Sequence, residues 1–159
     1  MNNVDSVGTF KLFDKTELFV VQQKTNVKLF KEINLPTKTD LVILCVQNGQ
    51  PELSEVETAQ LNRILSYLKK SFDDTPVIIC TTEQPVQYQQ IYNEIPFNNL
   101  IVFGGNRKML GLNIDIASGY TPIEINNQKF FFSHSLEALE RDETKKRQLK
   151  PALDALFNK

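Results

Sequence analysis

The chain has 159 residues, 18 basic and 19 acidic side chains, a formal net charge of −1, 41% hydrophobic residues and 23% charged ones. Such a balance suits one globular domain, residues 1–159, with room for a sizeable core, and it gives the chain no overall electrostatic pull toward nucleic acid or membranes. No apolar run reaches the length of a membrane span, and the N-terminus lacks a basic start followed by an apolar stretch, so a cytoplasmic protein is expected.

Residues 1–34 read as N-terminal strands or an arm. Residues 1–6 are polar, and residues 9–13 and 17–22 are short β-prone runs separated by Asp14-Lys15. They carry Phe10, Leu12, Phe13, Leu18, Phe19 and Val20, enough apolar surface for a hairpin or an adhesive arm. Residues 26–30 form a further extended stretch, and the turn around Pro36 delivers the chain into Leu41-Val42-Ile43-Leu44-Cys45-Val46. Six apolar residues without alternation predict a strand buried on both faces, as in a parallel sheet covered by helices.

The polar loop of residues 47–51 follows, and Ser54-Glu55-Val56-Glu57 has the form of a capping box. Leu53, Val56, Leu61, Ile64, Leu65 and Leu68 then predict one apolar helix stripe. Val77-Ile78-Ile79-Cys80-Thr81 reads as a second strand, residues 86–93 as a short helix with a weak stripe of Val86, Gln90, Ile91 and Tyr92, and Leu100-Ile101-Val102-Phe103 as a third strand. Gly104-Gly105 closes that strand, and a short helix is expected over residues 107–110. Residues 121–125 and 129–132 flank Asn126-Asn127-Gln128 as a hairpin, since asparagine accepts the positive φ of a tight turn. Ser135 opens a helical turn with Leu136 and Leu139. A last helix spans residues 142–157 with Leu149, Leu153, Leu156 and Phe157 as its stripe, kinked or restarted at Pro151. Strand–helix alternation repeated three times predicts an α/β fold: a three-layer α/β/α sandwich around a mainly parallel central sheet.

Strands of a parallel sheet end on one edge, where such folds bind ligands. The loops meeting there supply Asn48, Gly49 and Gln50, then Gly104, Gly105 and Arg107, and finally His134 and Ser135. Their only neighbouring carboxylates are Glu52 and Glu83, which is thin for acid–base catalysis. His134 is the single histidine; between two serines at a strand–helix junction it reads as a capping or packing residue before an acid or base. Glycines followed by Arg107 and Lys108 would suit a phosphate, but the spacing fits neither a Walker loop nor the dinucleotide fingerprint, and a tight turn with solvated basic residues is preferred. Arg141, Lys145, Lys146, Arg147 and Lys150 make the last helix the most basic segment, read as a solvated face because Asp142, Glu143 and Asp154 accompany them. Phe130-Phe131-Phe132 alternate across the sheet, so one face needs a cover. Cys45 and Cys80 fall within strands and read as buried free thiols. With one histidine and no cysteine outside the core, no metal or other cofactor is expected.

In order along the chain stand Pro36, the strand ending in Val46-Gln47-Asn48-Gly49-Gln50-Pro51, the helix with Leu61, Ile64 and Leu65, and Leu100-Ile101-Val102-Phe103-Gly104. His134-Ser135-Leu136-Glu137-Ala138-Leu139 and Lys146-Arg147-Gln148-Leu149 complete the series. This order resembles the psi subunit family of the bacterial DNA polymerase III holoenzyme over roughly residues 35–157. The family's closing helix carries a tryptophan; here Leu149 or a neighbour stands in its place, and the chain has no tryptophan at all.

The resemblance implies a uracil-DNA glycosylase-like fold used without catalysis, for protein–protein contact in the clamp-loader assembly of DNA replication. Its partners would be clamp-loader or other replication proteins, with DNA association indirect and no membrane. It implies an N-terminal arm for the ATPase ring, here Phe10, Leu12, Phe13 and Phe19, and a folded domain that holds a second subunit, chi. Active glycosylases carry a water-positioning Asp or Asn after the first core strand and a His-Pro-Ser-Pro-Leu-like loop near the end. Asn48-Gly49-Gln50 and Ser133-His134-Ser135-Leu136 occupy those places without either proline and without Gly-x-Asp-Pro-Tyr, so the pocket reads as a remnant. The alternative is a glycosylase-like or nucleotide-binding enzyme acting at the same strand-end loops.

Overall fold

The computed structural model describes residues 37–113 and 120–157. The anticipated N-terminal strands or arm, with Phe10, Leu12, Phe13 and Phe19, lie outside the described residues. The chain is α/β, with five strands in one mixed sheet and four helices among the described residues. The strands are β1 (Thr39–Gln47), β2 (Val77–Thr81), β3 (Phe97–Phe103), β4 (Ile123–Ile125) and β5 (Gln128–Ser133). The helices are α1 (Glu55–Tyr67), α2 (Tyr88–Glu94), α3 (Leu136–Arg141) and α4 (Glu143–Phe157).

Sheet order is β2-β1-β3-β5-β4, parallel from β2 to β5, with β4 antiparallel on the outer edge. β1 is the centre of construction. Residues 41–46 are all buried, so strands must flank both its edges and side chains must cover both its faces. On one face Leu41, Ile43 and Cys45 join Ile101, Phe103 and Phe131 in a core closed by α1, α3 and α4. The opposite face is met by α2, whose Tyr88 ring abuts Phe130 edge-on at 5.6 Å. The phenylalanine run is thereby shared: Phe130 and Phe131 are each fully buried, on opposite faces, and Phe132 is half-buried.

Register layers the strands. Cys45 aligns with Phe103, and Phe103 with Ser133, so β1, β3 and β5 finish together at one edge. The connection from β1 leads to β2 on one side, while β3 lies on β1's other side. The chain therefore departs in opposite directions from two adjacent strand ends, which opens a crevice between them.

Local chemistry explains most boundaries. The Ser54 hydroxyl accepts the Glu57 N–H at 3.2 Å while Glu57 Oε2 accepts the Ser54 N–H at 3.0 Å, completing the capping box of α1. Asn126 and Asn127, at φ 52° and 64°, make the two-residue turn between β4 and β5, so Gln128 belongs to the strand and not to the loop. Four expectations are corrected. Val56 is 55% exposed, because it sits five positions before Leu61 and falls off the stripe that Leu61, Ile64 and Leu65 define. α2 begins at Tyr88 with Val86 buried ahead of it, and only Ile91 is buried within the helix. α4 continues through Pro151 without restarting, at the cost of one backbone donor. Residues 107–111 form hydrogen-bonded turns and no helix, so the alternation is interrupted after β3.

Cys45 and Cys80 are buried free thiols. Cys80 pairs with Val46 across the β1–β2 ladder, so alternation sends it to the face opposite Cys45. Burial, joined by the charges of Glu57 and Cys80, drives the Cys45 thiol far above its ordinary range, and burial also raises Cys80. Both are inert by that measure.

Glu57 ties strand to helix. Its carboxylate accepts from Gln47 Nε2 at 2.8 Å and from the Ser54 hydroxyl at 3.0 Å, which clamps both ends of residues 48–53. Burial pushes its pKa up, but the hydrogen bonds from Gln47 and Ser54 outweigh it and hold the value below the ordinary one. A depressed folded pKa stabilises the fold above the unfolded-state pKa and loses that contribution as pH falls through the folded value. Glu57→Gln is therefore expected to lower stability near neutrality and to flatten the acid limb of the stability–pH curve. Ser54→Ala should cost about 1 kcal/mol as a lost cap. Urea unfolding across a pH series reads both.

Candidate functional site

The crevice at the strand ends widens into a cleft of about 1070 Å³. Its walls come from the ends of β1, β3 and β5, from Tyr120 to Pro122 ahead of β4, and from α3 and α4. Five of the eight residues anticipated at this edge line it: Asn48, Gly104, Gly105, His134 and Ser135. Gly49, Gln50 and Arg107 are not among its described lining residues. Gly49 takes φ +99° at the tip of the first loop, and the Gln50 carbonyl closes that loop by accepting the Glu52 N–H at 2.9 Å. The Arg107 carbonyl accepts from Leu110 at 3.1 Å and from Leu112 at 3.0 Å.

The glycine pair has a steric cause. Gly104 has φ +79°, and a Cβ there would stand 2.9 Å from the Val46 carbonyl oxygen and 3.2 Å from Ser135 Cβ. A Cβ on Gly105 would meet Val46 Cγ2 at 2.8 Å and Val102 Cγ1 at 2.9 Å. The Gly104 N–H donates to the Ser133 carbonyl at 3.1 Å, locking the ends of β3 and β5 together. Glycine is required here for close backbone approach, not for an anion. Past it, the Met109 N–H is taken by Asn106 Oδ1, and those of Leu110, Gly111 and Leu112 by carbonyls of the same turn. The phosphate reading of residues 104–108 thus loses the helix start it needed.

His134 is exposed at the rim, and its Nδ1 lies 2.6 Å from the Tyr120 hydroxyl. With the tyrosine donating, the ring proton belongs on Nε2. Tyr120 also stacks on Phe131, centroids 5.7 Å apart, so the rim is anchored to the core. Ser135 accepts the Ala138 N–H at 3.2 Å and is the N-cap of α3. Asn48 is exposed, with Thr82 Oγ1 3.5 Å from its carbonyl oxygen.

Ser133 is the exception. Its side chain is buried, the residue only 7% exposed, and its hydroxyl has no hydrogen-bond partner.

Chemically the lining holds one imidazole, that of His134, and no Asp, Glu, Lys or Arg among its described residues. His134 and Ser133 form no nucleophile–base pair, and Ser135 is committed to its cap. Among the described residues no group of three or more His, Cys, Asp or Glu converges as a metal site. The arrangement can exchange hydrogen bonds with a neutral ligand and cover its apolar parts. Sequence reasoning placed Ser133 in the strand-end segment Ser133-His134-Ser135-Leu136, but did not single out Tyr120 or the α4 wall of Gln148, Pro151, Ala152 and Ala155. The wall had a legible signal, small residues recurring at helical spacing on one face.

The chain matches no protein-family model, no curated protein and no solved structure. Gly104→Ala is expected to cost about 1–3 kcal/mol, since strained φ adds to the contact with the Val46 carbonyl. Tyr120→Phe should cost less, about 1 kcal/mol or below, because the ring contact with Phe131 survives. Denaturant unfolding of the two variants checks that order.

Proposed function

We propose that this chain is a non-enzymatic binding subunit of the psi type, acting by protein–protein contact within a clamp-loader assembly. One observation carries most weight: the strand-end cleft offers hydrogen-bonding groups but no described carboxylate beside its histidine, and that histidine is engaged by Tyr120. A tyrosine–histidine pair with no carboxylate to orient it or balance its charge is a thin basis for acid–base chemistry. The helices on both sheet faces support the three-layer arrangement of the glycosylase kind, with the catalytic loops reduced to a binding surface. No helix among the described residues is long and apolar enough to cross a membrane.

Charges on α3 and α4 favour indirect over direct association with DNA. Arg141 pairs with Glu137 at 2.9 Å, Lys145 with Asp142 at 2.9 Å, and Lys146 with Glu140 and Glu143 at 3.6 and 3.7 Å. Lys150 lies over the Tyr67 ring. Cations spent this way neutralise few phosphates. The partner-binding role belongs to Phe10, Leu12, Phe13 and Phe19.

Co-expression with clamp-loader ATPase subunits tests the reading. Stable co-purification, lost on Phe10→Asp or Phe19→Asp, is expected; a chain that elutes alone overturns it. Incubation with uracil- or mismatch-containing DNA is expected to release no base. Robust release abolished by Asn48→Ala or His134→Ala would instead establish the glycosylase-like alternative.

A further inference from the structure

We propose that Asn48-Gly49 is a site of spontaneous deamidation, through which the cleft lining gains a carboxylate. The reaction is independent of the binding-subunit reading.

Asn48-Gly49 is the one Asn-Gly pair in the chain. Glycine matters because the attacking group is its own backbone nitrogen. Without a Cβ it does not crowd the ring that must close, and it reaches conformations barred to other residues. Gly49 has φ +99°, and a Cβ built on it would meet nothing within 4 Å. Both residues are exposed, so water has access to the loop tip.

Little holds the reacting groups apart. The Gly49 N–H has no hydrogen-bond acceptor among the described residues. One described hydrogen bond engages the Asn48 side chain, Thr82 Oγ1 to Oδ1 at 3.5 Å, and so long a bond leaves the amide free to turn. Other asparagines are better held. Asn99 Nδ2 donates to the Asp40 carbonyl at 3.0 Å and to Asp40 Oδ1 at 3.1 Å, and Asn106 Oδ1 accepts the Met109 N–H at 3.2 Å. The contacts of Glu57 anchor Gln47 and Ser54 on either side and leave the tip between them in solvent.

The step needs water and nothing else. The Gly49 nitrogen gives its proton to solvent and attacks Asn48 Cγ. The new N–Cγ bond closes a five-membered imide as the Cγ–Nδ2 bond breaks, and ammonia leaves carrying a proton from solvent. Water then opens the imide at either carbonyl. Opening at Cγ gives aspartate; opening at the main-chain carbonyl gives isoaspartate, with one more carbon in the backbone.

The position gives the reaction its consequence. Asn48 lines a cleft with no Asp, Glu, Lys or Arg among its described lining residues, so either product is the first carboxylate there. The chain gains one negative charge beyond its formal −1. A surface suited to neutral groups then attracts cations and repels carboxylates.

The test incubates the folded full-length chain at mildly alkaline pH. Acidic forms are separated by ion exchange, and residue 48 is read by fragmentation mass spectrometry that distinguishes aspartate from isoaspartate. Expected is an acidic form whose amide-to-acid mass gain lies at residue 48, with both products present. The folded chain should react no more than about tenfold slower than the chain in urea, a factor equal to about 1.4 kcal/mol of barrier. Exposed Asn126 and Asn127, followed by Asn and Gln, should remain amides over the same period. Asn48→Gln, which would need a six-membered ring, and Asn48→Ser, which has no amide, should form no acidic species at the parent rate. Modification that maps elsewhere overturns the proposal. So does a folded chain that reacts more than about tenfold slower than in urea, or acidification of either variant at the parent rate.

Discussion

Burial of β1 on every side is the constraint from which the rest follows. Residues 41–46 present apolar side chains to both faces, and backbone donors and acceptors along both edges. Leaving any of these open costs about 25 cal/mol for each Å² of apolar surface and more for each unpaired backbone group. The chain answers with β2 and β3 on the two edges, α1 and α4 over one face, and α2 toward the other. Once β1 is enclosed, only the strand ends remain accessible. Parallel β1, β3 and β5 put all of those ends, and every loop that follows them, at one rim.

That rim was legible to the extent that it depends on local pattern. The unbroken apolar run of β1, the Ser54–Glu57 reciprocity and the Asn126-Asn127 turn each have a short-range cause, and each is found. So was the convergence of Asn48, Gly104, Gly105, His134 and Ser135, which follows from parallel strands alone. Long-range contact decided the rest. Tyr120 bonds His134 fourteen residues away, and Ser133 goes without a partner because of what surrounds it in space. Val56 looked apolar enough for the core, but the angular position of Leu61 and Leu65 left it outside. Arg107 carried the right charge in the right loop, yet residues 107–111 turn where a helix would have raised N–H groups toward the rim.

The glycine pair shows how one motif serves either of two purposes. In a phosphate loop, glycines let backbone N–H groups approach an anion. At Gly104 and Gly105 the approaching atoms are the protein's own: the Val46 carbonyl, the Ser135 Cβ and the valine methyls. The space that an anion would fill is occupied by the neighbouring strand. Sequence alone does not separate these cases, because both demand a missing Cβ.

Neutrality of the cleft and pairing of the charges outside it are one physical pattern. Lys145 and Lys146 of α4 are held by Asp142, Glu140 and Glu143, while the cleft wall of the same helix is built from Gln148, Pro151, Ala152 and Ala155. A helix so divided keeps its solvated charges away from a surface where desolvating an ion would cost more than a neutral contact returns. Specificity on such a surface comes from shape and from hydrogen-bond count. The Ser133 hydroxyl departs from that economy: it is a polar atom buried at the last position of β5 with no hydrogen-bond partner.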